Sequence, residues 1–201
     1  MKPAESYHHG NLRSEIIRLG LEALETGESE ELSMRALAEK AGVSKTAPYR
    51  HFADREAILG ALADEGFRLL YEDLEKAAAA PAAERVGAMG RAYMAFAVSR
   101  PALYRLMNSP LICRLPDEMT AWARRSLDLL AEVLARRGAG RKSDPDAATA
   151  AWAYIHGLVL IRIDGLYPER LPEPDWDELA SRIPEALPAA SARPKRRRSG
   201  P

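Results

Sequence analysis

The chain has 201 residues, 47% of them hydrophobic and 29% charged, an ordinary balance for a globular protein. That length suits one domain, or a small domain joined to a larger one, with a core that needs no covalent staple. A single cysteine, Cys113, excludes an intrachain disulfide framework and a cysteine-based zinc cluster. No apolar run approaches the roughly 18 residues of a membrane span, and the N-terminal MKPAESYHHGNLR lacks the apolar stretch of a secretory signal. A reducing, cytoplasmic setting is therefore expected. The 29 basic and 29 acidic residues cancel, so no global field announces nucleic acid. Local basicity is concentrated in two places. Lys40, Lys45, Arg50 and Arg55 face only Asp54 over residues 40–55, and the final RPKRRRSGP carries five positive charges and no negative one.

Strand signals are almost absent and helical spacing is widespread, which predicts an all-α protein. Leu12, Ile16, Leu19, Ala23 and Leu24 line one face of a first helix, ended by Thr26-Gly27 and the acidic run after it. Ser33 can cap a short helix over 34–41, with Met34, Leu37, Ala38 and Ala41 inward. Ser44 can cap another over 45–52, and Asp54 a third that carries Ile58, Leu62, Leu69 and Leu70. Pro81 should stop that helix and let the next start near Ala82, with Val86, Met89, Tyr93, Phe96 and Ala97 on its apolar face. Pro101 opens a short segment. Helices over 117–137, 146–164 and 175–187 follow, and the Pro/Ala/Arg-rich tail from Pro188 reads as disordered.

Residues 33–52, SMRALAEKAGVSKTAPYRHF, have the form of a helix-turn-helix. Ala38 is small where two helices must approach, and Gly42 falls where the turn needs a positive φ. Val43 plugs the space between the helices, and Ser44 is placed to satisfy the free amides of the second. Leu37 and Phe52 fix the pair to its surroundings. The second helix is too polar outward for packing alone. Lys45, Tyr49 and His51 suit phosphate oxygens, while Thr46, Ala47 and Arg50 suit base edges. Arg35 points toward the backbone that the first helix would cross, and Arg55 adds charge at the start of the next helix.

From Gly10 to about Phe67 the chain resembles the DNA-binding domain of the tetracycline-repressor (TetR/AcrR) family. The resemblance rests on Ser33-Met34-Arg35-Ala36-Leu37-Ala38, on Ala41-Gly42-Val43-Ser44, on Tyr49-Arg50-His51-Phe52, and on Arg55 and Leu59. It implies an N-terminal three-helix DNA-binding head, a larger helical body that binds a small molecule, and a homodimer that represses transcription until its effector binds. Two positions depart from the pattern. Pro48 stands where a larger apolar residue is common and removes the bond to the Ser44 carbonyl; Arg55 stands where lysine is common. The implied boundaries are 8–54 for the head, 55–76 for a connecting helix, 84–187 for the ligand-binding and dimerisation body, and 188–201 for a basic tail.

Further on, Trp152-Ala153-Tyr154-Ile155-His156-Gly157 resembles the late-helix motif of a subgroup of these regulators defined by Trp, His and Gly. Ala150, Ala153 and Gly157 fall at i, i+3 and i+7, a small-residue stripe that lets another helix approach. With Trp152 and Leu160 they are the expected dimer interface, in a four-helix arrangement that the resemblance implies.

Plainer readings stand beside these. Helix-turn-helix spacing also occurs in proteins that bind no DNA. His8-His9 lacks ligands at metal spacing and reads as a solvated arm. Tyr93, Phe96, Met107, Trp122, Tyr154 and His156 can line a pocket for an apolar or aromatic effector, or be core and interface. Cys113 reads as a buried small hydrophobe rather than a redox sensor. The basic tail can add non-specific DNA affinity or only solubility. There is no P-loop, no GxGxxG after a strand, no GxSxG and no HExxH, so neither an enzyme nor a cofactor nor a metal site is expected. The alternative class is a helical dimeric interaction module that has lost DNA binding, and the polar face of residues 45–51 speaks against it.

Overall fold

A computed structural model describes residues 12–27, 32–114, 121–136 and 145–183. All regular structure among the described residues is helical. The α-helices are α1 (Leu12–Glu25), α2 (Met34–Lys40), α3 (Arg55–Ala78), α4 (Arg85–Ser99), α5 (Pro101–Met107), α6 (Ala121–Ala135), α7 (Pro145–Ile163) and α8 (Trp176–Ser181), with 3₁₀ turns at Pro48–Arg50 and Ile112–Arg114. No helix among these residues is long and apolar enough to cross a membrane. The helix boundaries follow local chemistry. Ser33 Oγ accepts the Ala36 amide at 3.2 Å, Asp54 Oδ1 the Ala57 amide at 2.8 Å, and Asp175 Oδ1 the Glu178 amide at 2.9 Å. Pro101 takes the first turn of α5, where its missing N–H costs nothing. Around Pro81 the chain leaves α3 at Ala78 and resumes helix at Arg85, slightly later than the sequence predicts. His8, His9, the tail from Pro188 and the Cys113 side chain lie outside the described part.

The described residues form two compact units. One holds those up to Tyr71 together with Ser99–Arg124, and the other Glu72–Val98 with those from Arg125 on, so α3 contributes to both. In the first unit Ile16, Leu19 and Ala23 of α1 pack with Leu37 and Ala41, with Phe52, and with Ile58 and Leu62 of α3. Each of the isoleucine, leucine and phenylalanine side chains contributes about 1.5–3 kcal/mol by leaving water. Leu106 and Leu111 pack against the same core, which makes α5 part of it. Gly66 of α3 lets α5 approach closely, because a Cβ there would lie 2.7 Å from Met107 Sδ.

The second unit buries Val86, Met89, Tyr93, Phe96 and Ala97 of α4. From α7 it buries a single stripe, Ala148, Ala151, Ile155 and Val159. Gly90 brings α4 against the backbone of α8, since a Cβ there would collide with the Ala180 carbonyl oxygen. Tyr154 fixes α7 to α8 by donating its hydroxyl to Leu179 O at 3.0 Å.

Candidate nucleic-acid interface

The interface is built outward from α2. At its C-terminus the Gly42 amide donates to Glu39 O at 3.0 Å and the Val43 amide to Ala38 O at 3.0 Å. Gly42 has φ +67°, so the helix closes in a Schellman motif, the positive φ expected of this glycine. Val43 packs against the core of the unit and Ala38 is fully buried. The turn is fixed at both ends, and it delivers the chain at Ser44 onto the surface.

The segment after Ser44 differs from the expected helix over 45–52. The Ala47 amide takes the Ser44 carbonyl at 2.9 Å, Arg50 takes Ala47 O at 3.2 Å, and His51 and Phe52 share Pro48 O at 2.9 and 3.0 Å. Regular structure is confined to the 3₁₀ turn Pro48–Arg50. Pro48 supplies the reason: it has no N–H with which to reach Ser44 O, so the segment opens on i→i+3 bonds and only its last bond, from Phe52 to Pro48 O, has α-helical spacing. The expected capping role of Ser44 is corrected with it. No α-helix opens at Lys45 to present free amides, and Ser44 Oγ instead meets Thr46 Oγ1 at 3.2 Å.

This short segment has two faces. Pro48 and Phe52 are buried against the unit. Lys45, Thr46, Arg50 and His51 are exposed, Ala47 is half-buried, and the Tyr49 ring is 56% exposed. Exposing a large aromatic ring among cations serves no packing purpose. Arg35 is exposed on α2. Among the described residues, Arg35, Lys45 and Arg50 have no carboxylate within ion-pair distance, so their charge is available to an anion. Arg55 is exposed too, but its Nε donates to Leu32 O at 3.3 Å, tying the start of α3 to the residue before the Ser33 cap.

The residues expected to line a pocket are divided between the units. Met107 is buried against Gly66, and Trp122 sets its ring 5.3 Å from that of Tyr71, both in the first unit. Tyr93, Phe96, Tyr154 and His156 belong to the second. There the Trp152 indole N–H donates to the Tyr93 hydroxyl at 3.2 Å, and the His156 ring lies 5.3 Å from the Trp152 ring. Burial lowers the His156 pKa and favours the neutral ring. Phe96 is buried core. Among the described residues, no group of three or more His, Cys, Asp or Glu is arranged to hold a metal ion.

Of the residues expected at a dimer interface, Ala150 and Ala153 are exposed and Trp152 is 36% exposed. Leu160 is half-buried, and nothing lies within 4 Å of where a Cβ on Gly157 would stand. Sequence reasoning missed the Tyr93–Trp152 bond, which joins residues 59 apart and leaves no periodic trace.

A buried three-element core that presents a short, cationic recognition segment defines a helix-turn-helix DNA-binding protein. Comparison with known families makes the assignment narrower. The profile of bacterial regulatory proteins of the tetR family matches residues 16–62, and that of the tetracyclin repressor-like C-terminal domain matches residues 86–187. The chain belongs to the TetR family of DNA-binding transcription regulators. It is similar over 90% of its length to a Rhodococcus sp. RHA1 protein of unknown function, with 30% identity, 96% of that chain covered and a TM-score of 0.74. It shares the fold of the multidrug binding protein EbrR, solved with ethidium (18% identity, 90% and 100% covered, TM-score 0.65). The fold is also that of LfrR from Mycobacterium smegmatis, solved with proflavine (19% identity, 89% and 97% covered, TM-score 0.58). No protein of curated function matches the sequence.

Proposed function

We propose that this regulator is a homodimeric, cytoplasmic repressor that a small molecule releases from a near-palindromic operator. The observation that carries the reading is the recognition segment, where Pro48 and Phe52 are buried while Lys45, Thr46, Tyr49, Arg50 and His51 are turned to solvent. Lys45, Tyr49 and His51 contact phosphates; Thr46, Ala47 and Arg50 read base edges in the major groove. Arg35, Ser44 and Arg55 flank this surface, Arg55 chiefly by holding α3 in place. Two-fold symmetry sets the half-sites about 34–36 Å apart, or one helical turn. Residues 8–54 form the head, 55–76 the connecting helix, and 84–187 the ligand-binding and dimerisation body.

The dimer face lies on α7, along Ala150, Trp152, Ala153, Gly157 and Leu160. α7 is apolar nearly all round yet fully buried along one stripe only, and such a helix requires a second partner. Trp152, His156 and Gly157 agree with the Trp-His-Gly subgroup. The effector is an apolar or aromatic compound held within the second unit by residues among Tyr93, Phe96, Tyr154 and His156; the ethidium of EbrR and the proflavine of LfrR support that class. It acts by binding the DNA-incompetent state more tightly, a population shift. The test is to titrate apolar and aromatic compounds that do not intercalate into a complex with a selected duplex. Release by at least one compound class is expected. Unchanged duplex affinity at saturation across the panel contradicts release by a ligand.

A further inference from the structure

We propose that Arg13, at the start of α1, is a further phosphate contact of this regulator, held beside the recognition segment by the Phe52 ring. The inference rests on the DNA-binding reading above. Arg13 is exposed, and its guanidinium carbon lies 5.7 Å from the Phe52 ring centroid. Phe52 directly follows His51, is itself buried, and has its amide bonded to Pro48 O at 3.0 Å. The ring is therefore a fixed platform, and it attracts the cation over its face while the arginine side chain stays exposed. The charge is also unspent. Asp64 draws on Arg13 from a distance, but Arg13 closes no ion pair among the described residues.

Arg18 is the contrast on the same helix. It is clamped by Glu15, 2.6 Å away, and by Glu22, so its charge is neutralised locally. Two arginines five positions apart thus differ in the property that matters to a polyanion. Arg13 stands with Arg35, Lys45 and Arg50 as a cation with no carboxylate partner among the described residues, and an aromatic ring fixes its position beside the residues that face DNA. Guanidinium and phosphate then meet as planar fork and tetrahedral anion.

The experiment compares the full-length parent, Arg13→Ala, Arg13→Lys and Arg18→Ala on one labelled duplex, the sequence that the parent enriches most from a randomised pool. Affinity is measured between 50 and 200 mM salt. Each phosphate contact contributes a slope of about 0.9 in log K against log salt. Arg13→Ala is expected to lower the slope by about 0.9 per protomer bound and to weaken all sequences alike. Arg13→Lys should keep the slope, and Arg18→Ala should change it little. If the parent binds and the Arg13→Ala slope equals that of the parent or of Arg18→Ala, the assignment of Arg13 is wrong and the DNA-binding reading stands. If the folded parent binds no duplex in the pool, the DNA-binding reading fails and the assignment falls with it.

Discussion

The carbonyl of Ser44 accepts the amide of Ala47 at 2.9 Å, and Pro48, the next residue, has no N–H to extend the contact into an α-helical turn. The recognition segment is a 3₁₀ turn for this reason, with about 120° between successive side chains where an α-helix has about 100°. Tyr49, Arg50 and His51 are aimed by that geometry. In Pro48→Ala the new amide is free to reach Ser44 O and the segment relaxes toward α-helix. The expected outcome is protection of that amide from hydrogen exchange, with about a tenfold loss of affinity (~1.4 kcal/mol) as the outward side chains turn.

Substitutions at Arg50 and Tyr49 test the proposed division between base and phosphate contacts. Arg50→Ala is expected to cost on the order of 1–3 kcal/mol and to relax the preference at one base position. Tyr49→Ala should weaken all sequences alike. Both are read by comparing the sequence profile of selected DNA with that of the parent.

Two glycines in the second unit have opposite surroundings. A Cβ on Gly90 would run into the Ala180 carbonyl oxygen, which is backbone and cannot step aside, whereas Gly157 has open space around it. Gly90→Ala should destabilise the protomer by about 1–3 kcal/mol, the usual cost of overpacking. Gly157→Ala should leave the protomer at least as stable, alanine being the better helix former by about 1 kcal/mol. Gly157→Glu tests the proposed dimer face: chemical unfolding at low concentration should match the parent, while sedimentation should show dissociation into monomers.

Asp64 gives a pH dependence of known sign. Burial, and then the neighbouring Glu65, raise its pKa in the folded state, Arg13 offsets this in part, and Oδ1 is buried without a hydrogen-bond partner. The folded protein therefore holds this proton more tightly than the unfolded chain. The stability gained from this proton is present below the ordinary aspartate range and is lost as pH rises through the raised folded-state pKa. Asp64→Asn should raise the unfolding temperature at pH 7. The gain should vanish in acid, where the carboxyl is protonated in both states.

Much of this was legible in the residues. The inward faces of α1 and α2, the caps at Ser33 and Asp54, and the positive φ of Gly42 are written in local spacing and residue type, which the chain alone determines. The length of the recognition segment was not. The loss of one bond at Pro48 is visible in the sequence, but its effect on the whole segment is not: only the Phe52 amide, at the very end, regains an i→i+4 bond. The packing of Leu106 on the α1 core, the Arg13–Phe52 contact and the Tyr93–Trp152 bond depend on residues distant in sequence, and periodicity within one helix cannot reveal them. Gly20, Gly66 and Gly90 did carry a signal. Glycine inside a helix costs about 1 kcal/mol against alanine, which points to a close neighbour at each position.

The measurement that bears most directly on the central claim is selection of genomic DNA fragments on the full-length protein at near-physiological salt, with Tyr49→Ala/Arg50→Ala alongside. The account predicts that the parent enriches one near-palindrome with half-sites about a helical turn apart, and that the folded double variant does not. Equal enrichment by both proteins, or a folded dimer that enriches nothing with or without cell extract as a source of effector, would contradict it.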